Sequence, residues 1–117
     1  MKTMTLSRWL GVAFVAFALP KLASVTIAVD NFERWGLGDS GRYGVGAIEV
    51  LLGIGMWVPR ARVWATLALL CVMGGASLAH LVAREYAMLL APLLFGVLLL
   101  RALYVEGNLR FEDGRVE

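Results

Sequence analysis

Four long apolar runs dominate the chain, with short polar segments between them. They cover residues 10–29, 43–58, 63–83 and 86–105, and single ionisable residues interrupt them at Lys21, Glu49, His80 and Arg101. Each run is at or near the roughly 20 residues that a helix needs to cross about 30 Å of hydrocarbon. The pattern therefore predicts four transmembrane helices, over about residues 6–29, 43–58, 63–83 and 86–105.

The polar connections determine how these helices would be arranged. The segments at 59–62 and 84–85 are very short, and only the segment at 30–42 is long enough to form a flexible loop. Short connections make successive helices antiparallel. The expected fold is all-α, an integral membrane antiparallel four-helix bundle over residues 1–105, followed by a short cytosolic tail over residues 106–117.

The distribution of basic residues predicts the orientation of the bundle. Short loops rich in Lys and Arg stay on the cytoplasmic side of a membrane. Seven basic residues fall on one side, namely Lys2, Arg8, Arg60, Arg62, Arg101, Arg110 and Arg115, and three on the other, Arg34, Arg42 and Arg84. Both termini are therefore expected in the cytoplasm. The four tryptophans lie near predicted span ends, as interfacial indoles do: Trp9, Trp35, Trp57 and Trp64.

Composition excludes several classes of protein. With 60% hydrophobic and 17% charged residues, the 117-residue chain falls outside the usual range of soluble domains. A net charge of +2 without a basic stripe argues against a nucleic-acid partner. Cys71 is the only cysteine and His80 the only histidine, so neither an internal disulfide nor a usual metal or haem site is expected.

The first apolar run has an alternative interpretation as a secretory signal. Lys2 and Arg8 precede it, and the segment Ala16-Phe17-Ala18 is similar to a cleavage site. The three further apolar runs favour a membrane span instead.

Three ionisable residues lie at similar predicted depths. At about 1.5 Å per residue, Lys21 is ~12 Å, Glu49 ~9 Å and His80 ~5 Å from the outer end of its span. The flexible lysine side chain can reach further outward, so all three groups could meet in one layer. An unpaired charge at such depth costs roughly 2.5–3.5 kcal/mol, which predicts that Lys21 and Glu49 face inward and pair.

Small and polar neighbours extend this layer into a candidate ligand-binding site. Gly46 shares a helix face with Glu49, and Met73 shares one with His80. Ser77 precedes His80 by three residues and could bond either to it or to the carbonyl four residues back. The expected ligand-binding set is Lys21, Gly46, Glu49, Met73, Ser77 and His80, with Glu49 and His80 as candidate catalytic groups.

Two structural interpretations stand beside this one. Lys21 and Glu49 could form an ion pair whose only role is to fix helix order. His80 could hydrogen-bond a neighbouring helix or lie in the headgroup layer.

Three segments resemble the DoxX or DoxX-like family of small four-helix membrane proteins. They are FVAFALPKLAS at residues 14–24, with its Phe and inward Lys, YGVGAIEVLLGIG at 43–55, with Gly-x-x-Glu, and VMGGASLAH at 72–80, with Met, small residues and His. Pro20 stands where the family commonly has glycine. The resemblance implies a multi-pass bundle in the bacterial cytoplasmic membrane, often associated with redox chemistry, the family name coming from a subunit of a thiosulfate:quinone oxidoreductase.

The function expected from this resemblance is accessory to a membrane redox system. The protein would bind a quinone or another membrane lipid in an outward-side pocket, without a resident cofactor and with a redox protein or a second copy as possible partner. His80 would exchange a proton or hydrogen-bond a carbonyl, since imidazole titrates near neutral pH. The alternatives are a non-catalytic assembly or chaperone subunit and a small isomerase that uses Glu49 and His80 as an acid/base pair.

Overall fold

The computed structural model describes the backbone of residues 2–116 and the side chains of residues 6–106. Within these residues the secondary structure is entirely helical, as the sequence predicts. The helices are α1 (Lys2–Leu22), α2 (Thr26–Arg34), α3 (Gly38–Gly55), α4 (Arg62–Val82) and α5 (Leu90–Val116), with a 3₁₀ helix at Tyr86–Leu89 before α5. Five α-helices thus replace the four expected, and α5 continues through most of the predicted tail.

Two segments of the described chain are long and apolar enough to cross a membrane, Arg62–Val82 and Tyr86–Glu106. A third is present if Leu6–Leu22 and Thr26–Arg34 are counted as one broken span. These segments indicate a membrane protein with two or three apolar spans, where the sequence pattern predicts four. The helix α3 falls outside this group because it carries Asp39, Arg42 and Glu49 within 18 residues.

The chain turns sharply between α1 and α2, and the single helix expected over residues 6–29 is therefore wrong. The axes of the two helices differ by 84°. Ser24 adopts a left-handed conformation, with φ of +58°, which a continuing α-helix does not allow. The Val25 N–H donates to Pro20 O at 3.0 Å and closes the turn.

Arg42 stabilises this turn from the beginning of α3. Its side chain is almost completely buried, and Nη1 donates to Lys21 O at 2.6 Å and to Ser24 Oγ at 2.8 Å. Nη2 pairs with Asp39 at 2.8 Å, and the guanidinium lies 4.2 Å from the Tyr43 ring centroid. Because a carbonyl at a helix end must find a donor, the arginine supplies what the interrupted helix lacks.

The segment expected as a loop at residues 30–42 is consequently mostly helical. Its first part completes α2, and its last part begins α3, which leaves Trp35, Gly36 and Leu37 between them. Gly36 has φ of +78° and Gly38 +61°, conformations that glycine adopts without steric cost.

The helices α1 and α3 approach each other closely at Gly11 and Gly53. A Cβ atom on Gly53 would lie 2.7 Å from Gly11 O, and one on Gly11 would lie 2.5 Å from Gly53 O. Only hydrogen at both positions permits this backbone contact. Next to it a core forms from large buried side chains of α1, α4 and α5 and from the end of α3: Leu10, Phe14, Met56, Leu69 and Leu99.

A second buried arginine bonds to the backbone at the opposite end of α3. Arg62 Nε donates to Met56 O at 2.8 Å, and its Nη1 lies 3.8 Å from the Glu106 carboxylate. Thr66 donates to Arg62 O at 2.7 Å. The sequence pattern places Arg62 in the polar flank of a span. In the structure its buried guanidinium instead donates to Met56 O, the carbonyl that follows the end of α3.

Replacement of Gly53 by alanine should weaken the contact between α1 and α3. The added methyl group would press on a backbone carbonyl that cannot rotate away, at a cost of roughly 1–3 kcal/mol. We expect Gly53→Ala to lower the melting temperature of the purified protein in detergent.

The matched control is Gly44→Ala, since a Cβ atom at Gly44 on the same helix meets no other atom within 4 Å. Equal melting temperatures for the two variants would contradict the proposed close contact.

Candidate functional site

A cavity of about 410 Å³ lies among all five α-helices. Its wall is mostly apolar and includes Phe17 from α1, Phe32 from α2, Val72 from α4 and Phe95 from α5. Lys21, Glu49 and His80 are its ionisable residues. The structure therefore brings the three ionisable residues of the predicted layer to one cavity.

Lys21 and Glu49 form an ion pair on this cavity wall. The ammonium Nζ lies 2.9 Å from Glu49 Oε1 and also donates to Phe17 O at 3.0 Å. The glutamate side chain is 3% exposed and the lysine 21% exposed. An ammonium has three N–H donors, so these two contacts leave donor capacity for a molecule in the cavity that Lys21 lines.

Aromatic rings form the apolar part of the wall next to Lys21. Phe17 and Phe95 meet edge to face with their centroids 4.9 Å apart, and the buried Phe14 lies 5.8 Å from each of them. Edge-to-face pairs favour defined ring orientations. This cluster therefore gives the cavity an apolar wall of defined ring orientation.

Glu85, in the turn after α4, joins α2 to the histidine. Its Oε1 accepts from the Trp35 indole N–H at 2.9 Å and lies 3.1 Å from His80 Nδ1. Its Oε2 accepts from Arg34 Nε at 2.6 Å. Because Trp35 follows α2 directly, this carboxylate holds that helix against the end of α4.

The contact with Glu85 also orients the imidazole. A carboxylate only accepts hydrogen bonds, so His80 Nδ1 carries the hydrogen. Nε2 is then the nitrogen left for a ligand. The Trp35 ring meets the imidazole edge to face, with centroids 5.2 Å apart, and restricts its rotation.

The remaining predicted site residues separate into two groups. Met73 lines the cavity together with His80. Gly46 does not, because it packs against α1, where a Cβ atom would come within 2.9 Å of the Leu22 side chain. Ser77 lies outside the cavity as well, and its hydroxyl donates to Met73 O at 2.9 Å, the ordinary role of a serine in a membrane helix.

The sequence gives little indication of four residues that define the site. Trp35 looks like an interfacial indole but lines the cavity, and Glu85 and Arg34 look like solvated loop charges but hold α2 in place. Phe95 shows no pattern that separates it from its apolar neighbours. The one available signal is the position of Glu85 in the turn directly after the helix of His80.

We expect acid to weaken the cluster that Glu85 forms with Arg34, Trp35 and His80, called the Glu85 cluster. Hydrogen bonds from Trp35 and His80, together with Arg34, hold the pKa of Glu85 below its ordinary value of 4.5. A carboxylate with a depressed folded-state pKa stabilises the fold above 4.5 and loses this effect as the pH falls through the lower value. The melting temperature of the wild type should therefore approach that of Glu85→Ala below pH 4.5.

The matched control for this series is Glu33→Ala, which removes an exposed carboxylate of α2 outside the cluster. A constant difference between wild type and Glu85→Ala from about pH 7 to about pH 3.5 would contradict the expected titration.

Removal of the lysine should cost more than removal of the whole ion pair. Lys21→Met leaves the buried Glu49 carboxylate without its counter-charge, which costs roughly 3–5 kcal/mol. Adding Glu49→Gln should recover much of this loss, so we expect the double variant to unfold at a higher denaturant concentration than Lys21→Met. If the loss of stability in the double variant equals the sum of the losses in the two single variants, the two charges are not coupled.

The comparison with protein families gives one match that covers most of the chain. The model of the DoxX-like family matches residues 5–102 and so covers the three ionisable residues of the cavity. The comparison with curated proteins gives no match. The family match confirms the resemblance seen in the three sequence segments. Since it spans most of the chain and the helices include two or three apolar spans, this chain is a membrane protein that belongs to the DoxX-like family.

Proposed function

We propose that this DoxX-like protein binds a quinone, or another small lipid-like molecule, in the 410 Å³ cavity. The observation that carries the proposal is a mostly apolar cavity wall that contains a few polar groups. Apolar and aromatic side chains form most of it, while the polar groups come from one ion pair and one imidazole. Sites for small ligands commonly have 300–1,000 Å³ and a few placed polar groups in an apolar wall.

The polar groups match a molecule with carbonyl or hydroxyl oxygens on a flat ring. A free N–H of Lys21 would donate to one ring oxygen, and Nε2 of His80 would hydrogen-bond to the other. The edge-to-face rings of Phe17 and Phe95 offer an apolar surface for the ring itself. A quinone and its reduced form present these two kinds of oxygen in turn.

We infer an accessory role in a redox system of the bacterial cytoplasmic membrane. The family resemblance supports the redox setting, and the seven-to-three excess of basic residues, counted on a four-span arrangement, supports cytoplasmic termini. In this role the protein would hold the quinone near a redox-protein partner, and Glu49 would set the polarity of the cavity through Lys21.

Titration of the purified protein with 2,3-dimethoxy-5-methyl-1,4-benzoquinone tests the proposal. Gly75 lines the cavity, and a Cβ atom there meets no other atom within 4 Å, so Gly75→Leu places a larger apolar side chain at the cavity wall and leaves the charges of the ion pair unchanged. We expect Gly75→Leu to abolish binding and His80→Ala to weaken it by about tenfold, the effect of one lost hydrogen bond to a buried group. Glu49→Gln should also weaken it by about tenfold, because Lys21 loses the carboxylate that positions its ammonium.

Gly44→Leu is the matched control, because Gly44 is also helical and open but lies away from the cavity. It should bind the quinone as the wild type does. Equal affinities in all variants would remove the proposed site. A loss of thermal stability in Glu49→Gln, with no protection of the wild type by the quinone, would favour the assembly or chaperone subunit instead.

A further inference from the structure

A second, open groove of about 250 Å³ lies between α4 and α5. One face of each helix lines it, with Gly74 and Ser77 on α4 and Leu93, Gly96 and Leu100 on α5. Both helices belong to segments long and apolar enough to span a membrane. Leu93 and Leu100 are each 56% exposed, so this groove faces the hydrocarbon of the bilayer.

The groove adjoins the cavity at two shared residues, Met73 and Pro92, which line both spaces. Both side chains are buried between the two helices. A methionine side chain has three rotatable bonds and no branch, so it adapts readily to a neighbouring molecule. Met73 is therefore the side chain of this wall that can adapt its conformation to a molecule lying in both spaces.

Glycines keep the groove open. A Cβ atom on Gly74 or on Gly96 would meet no other atom within 4 Å. At Gly11 and Gly53, by contrast, the missing side chain permits close helix packing. The glycines between α4 and α5 thus leave space unoccupied, and a hydrocarbon chain is narrow and apolar enough to fill it.

We propose that the ligand carries a hydrocarbon tail that leaves the cavity past Met73 and Pro92 and lies in this groove. The inference rests on the proposed function, since the polar head of the same molecule occupies the cavity. Lipid chains are as apolar as leucine, so the groove gains nothing from removal of water. Its role is geometric, because it lets the head enter the protein while the tail stays in the bilayer.

Two quinones that differ only in the tail test this path. The probes are 2,3-dimethoxy-5-methyl-1,4-benzoquinone and the same ring with a decyl chain, titrated against the full chain in phosphatidylcholine nanodiscs. Gly96→Leu and Gly74→Leu fill the groove from opposite sides, and Gly44→Leu is the control. Partition of the decyl quinone into the lipid is the same for every variant, so comparison with the wild type cancels it.

We expect both groove variants to bind the decyl quinone about tenfold more weakly than the wild type does, while the tail-free quinone keeps its affinity within about twofold. Because the two substitutions lie on different helices, one variant still tests the tail path if the other does not fold. A parallel loss of both quinones, or no loss of either, would overturn the tail path.

The outcomes separate this inference from the proposed function. If the wild type binds the tail-free quinone and the groove variants bind both quinones normally, the cavity site stands and the tail path fails. If the wild type binds neither quinone, both fail. A change of oligomeric state in Gly96→Leu, with both quinones bound normally, would assign the groove to a second copy of the chain and overturn the tail path.

Discussion

The structure depends on the pairing of the helix-end carbonyls where α1 stops at Leu22. In an apolar setting an unpaired backbone group costs several kcal/mol, so a chain can turn there only if a donor is supplied. Arg42 supplies it through one buried guanidinium that also bonds Ser24 and Asp39. The turn sends α2 across the bundle and brings Phe32 to the cavity. A straight continuation of α1 would leave the cavity without that wall.

Two carboxylates, the buried Glu49 and the half-buried Glu85, then pair with the remaining charged and polar groups. Glu49 neutralises Lys21 on the cavity wall, and Glu85 collects donors from Arg34, Trp35 and His80 at the end of α4. The two carboxylates have different effects on the cavity. Glu49 holds the Lys21 ammonium at the cavity wall, and Glu85 orients the imidazole of His80. Polar chemistry in the cavity is thus set by partners that lie partly outside it.

Small residues have two opposite uses in this fold. Gly11 and Gly53 allow backbones to touch, which fixes how α1 and α3 pack, while Gly74, Gly75 and Gly96 leave open space beside α4 and α5. The sequence cannot separate these uses, since a glycine in an apolar run looks the same in either case. The difference depends only on whether a neighbouring helix approaches the missing side chain.

The sequence by itself determined the helical class, the apolar character of the helices and the inward position of Lys21 and Glu49, while it left His80 open between the cavity and the headgroup layer. These features follow from local composition and from the cost of an unpaired charge in an apolar medium, which holds whatever the fold. Only the tertiary structure decided that α1 breaks before its predicted end at residue 29, that Trp35 lines a cavity and that Gly46 and Ser77 do not.

The reason is separation along the chain. Arg42 bonds a carbonyl 21 residues earlier, and Glu85 bonds an indole 50 residues earlier. No helical or strand period relates such positions, so their pairing exists only once the helices have packed.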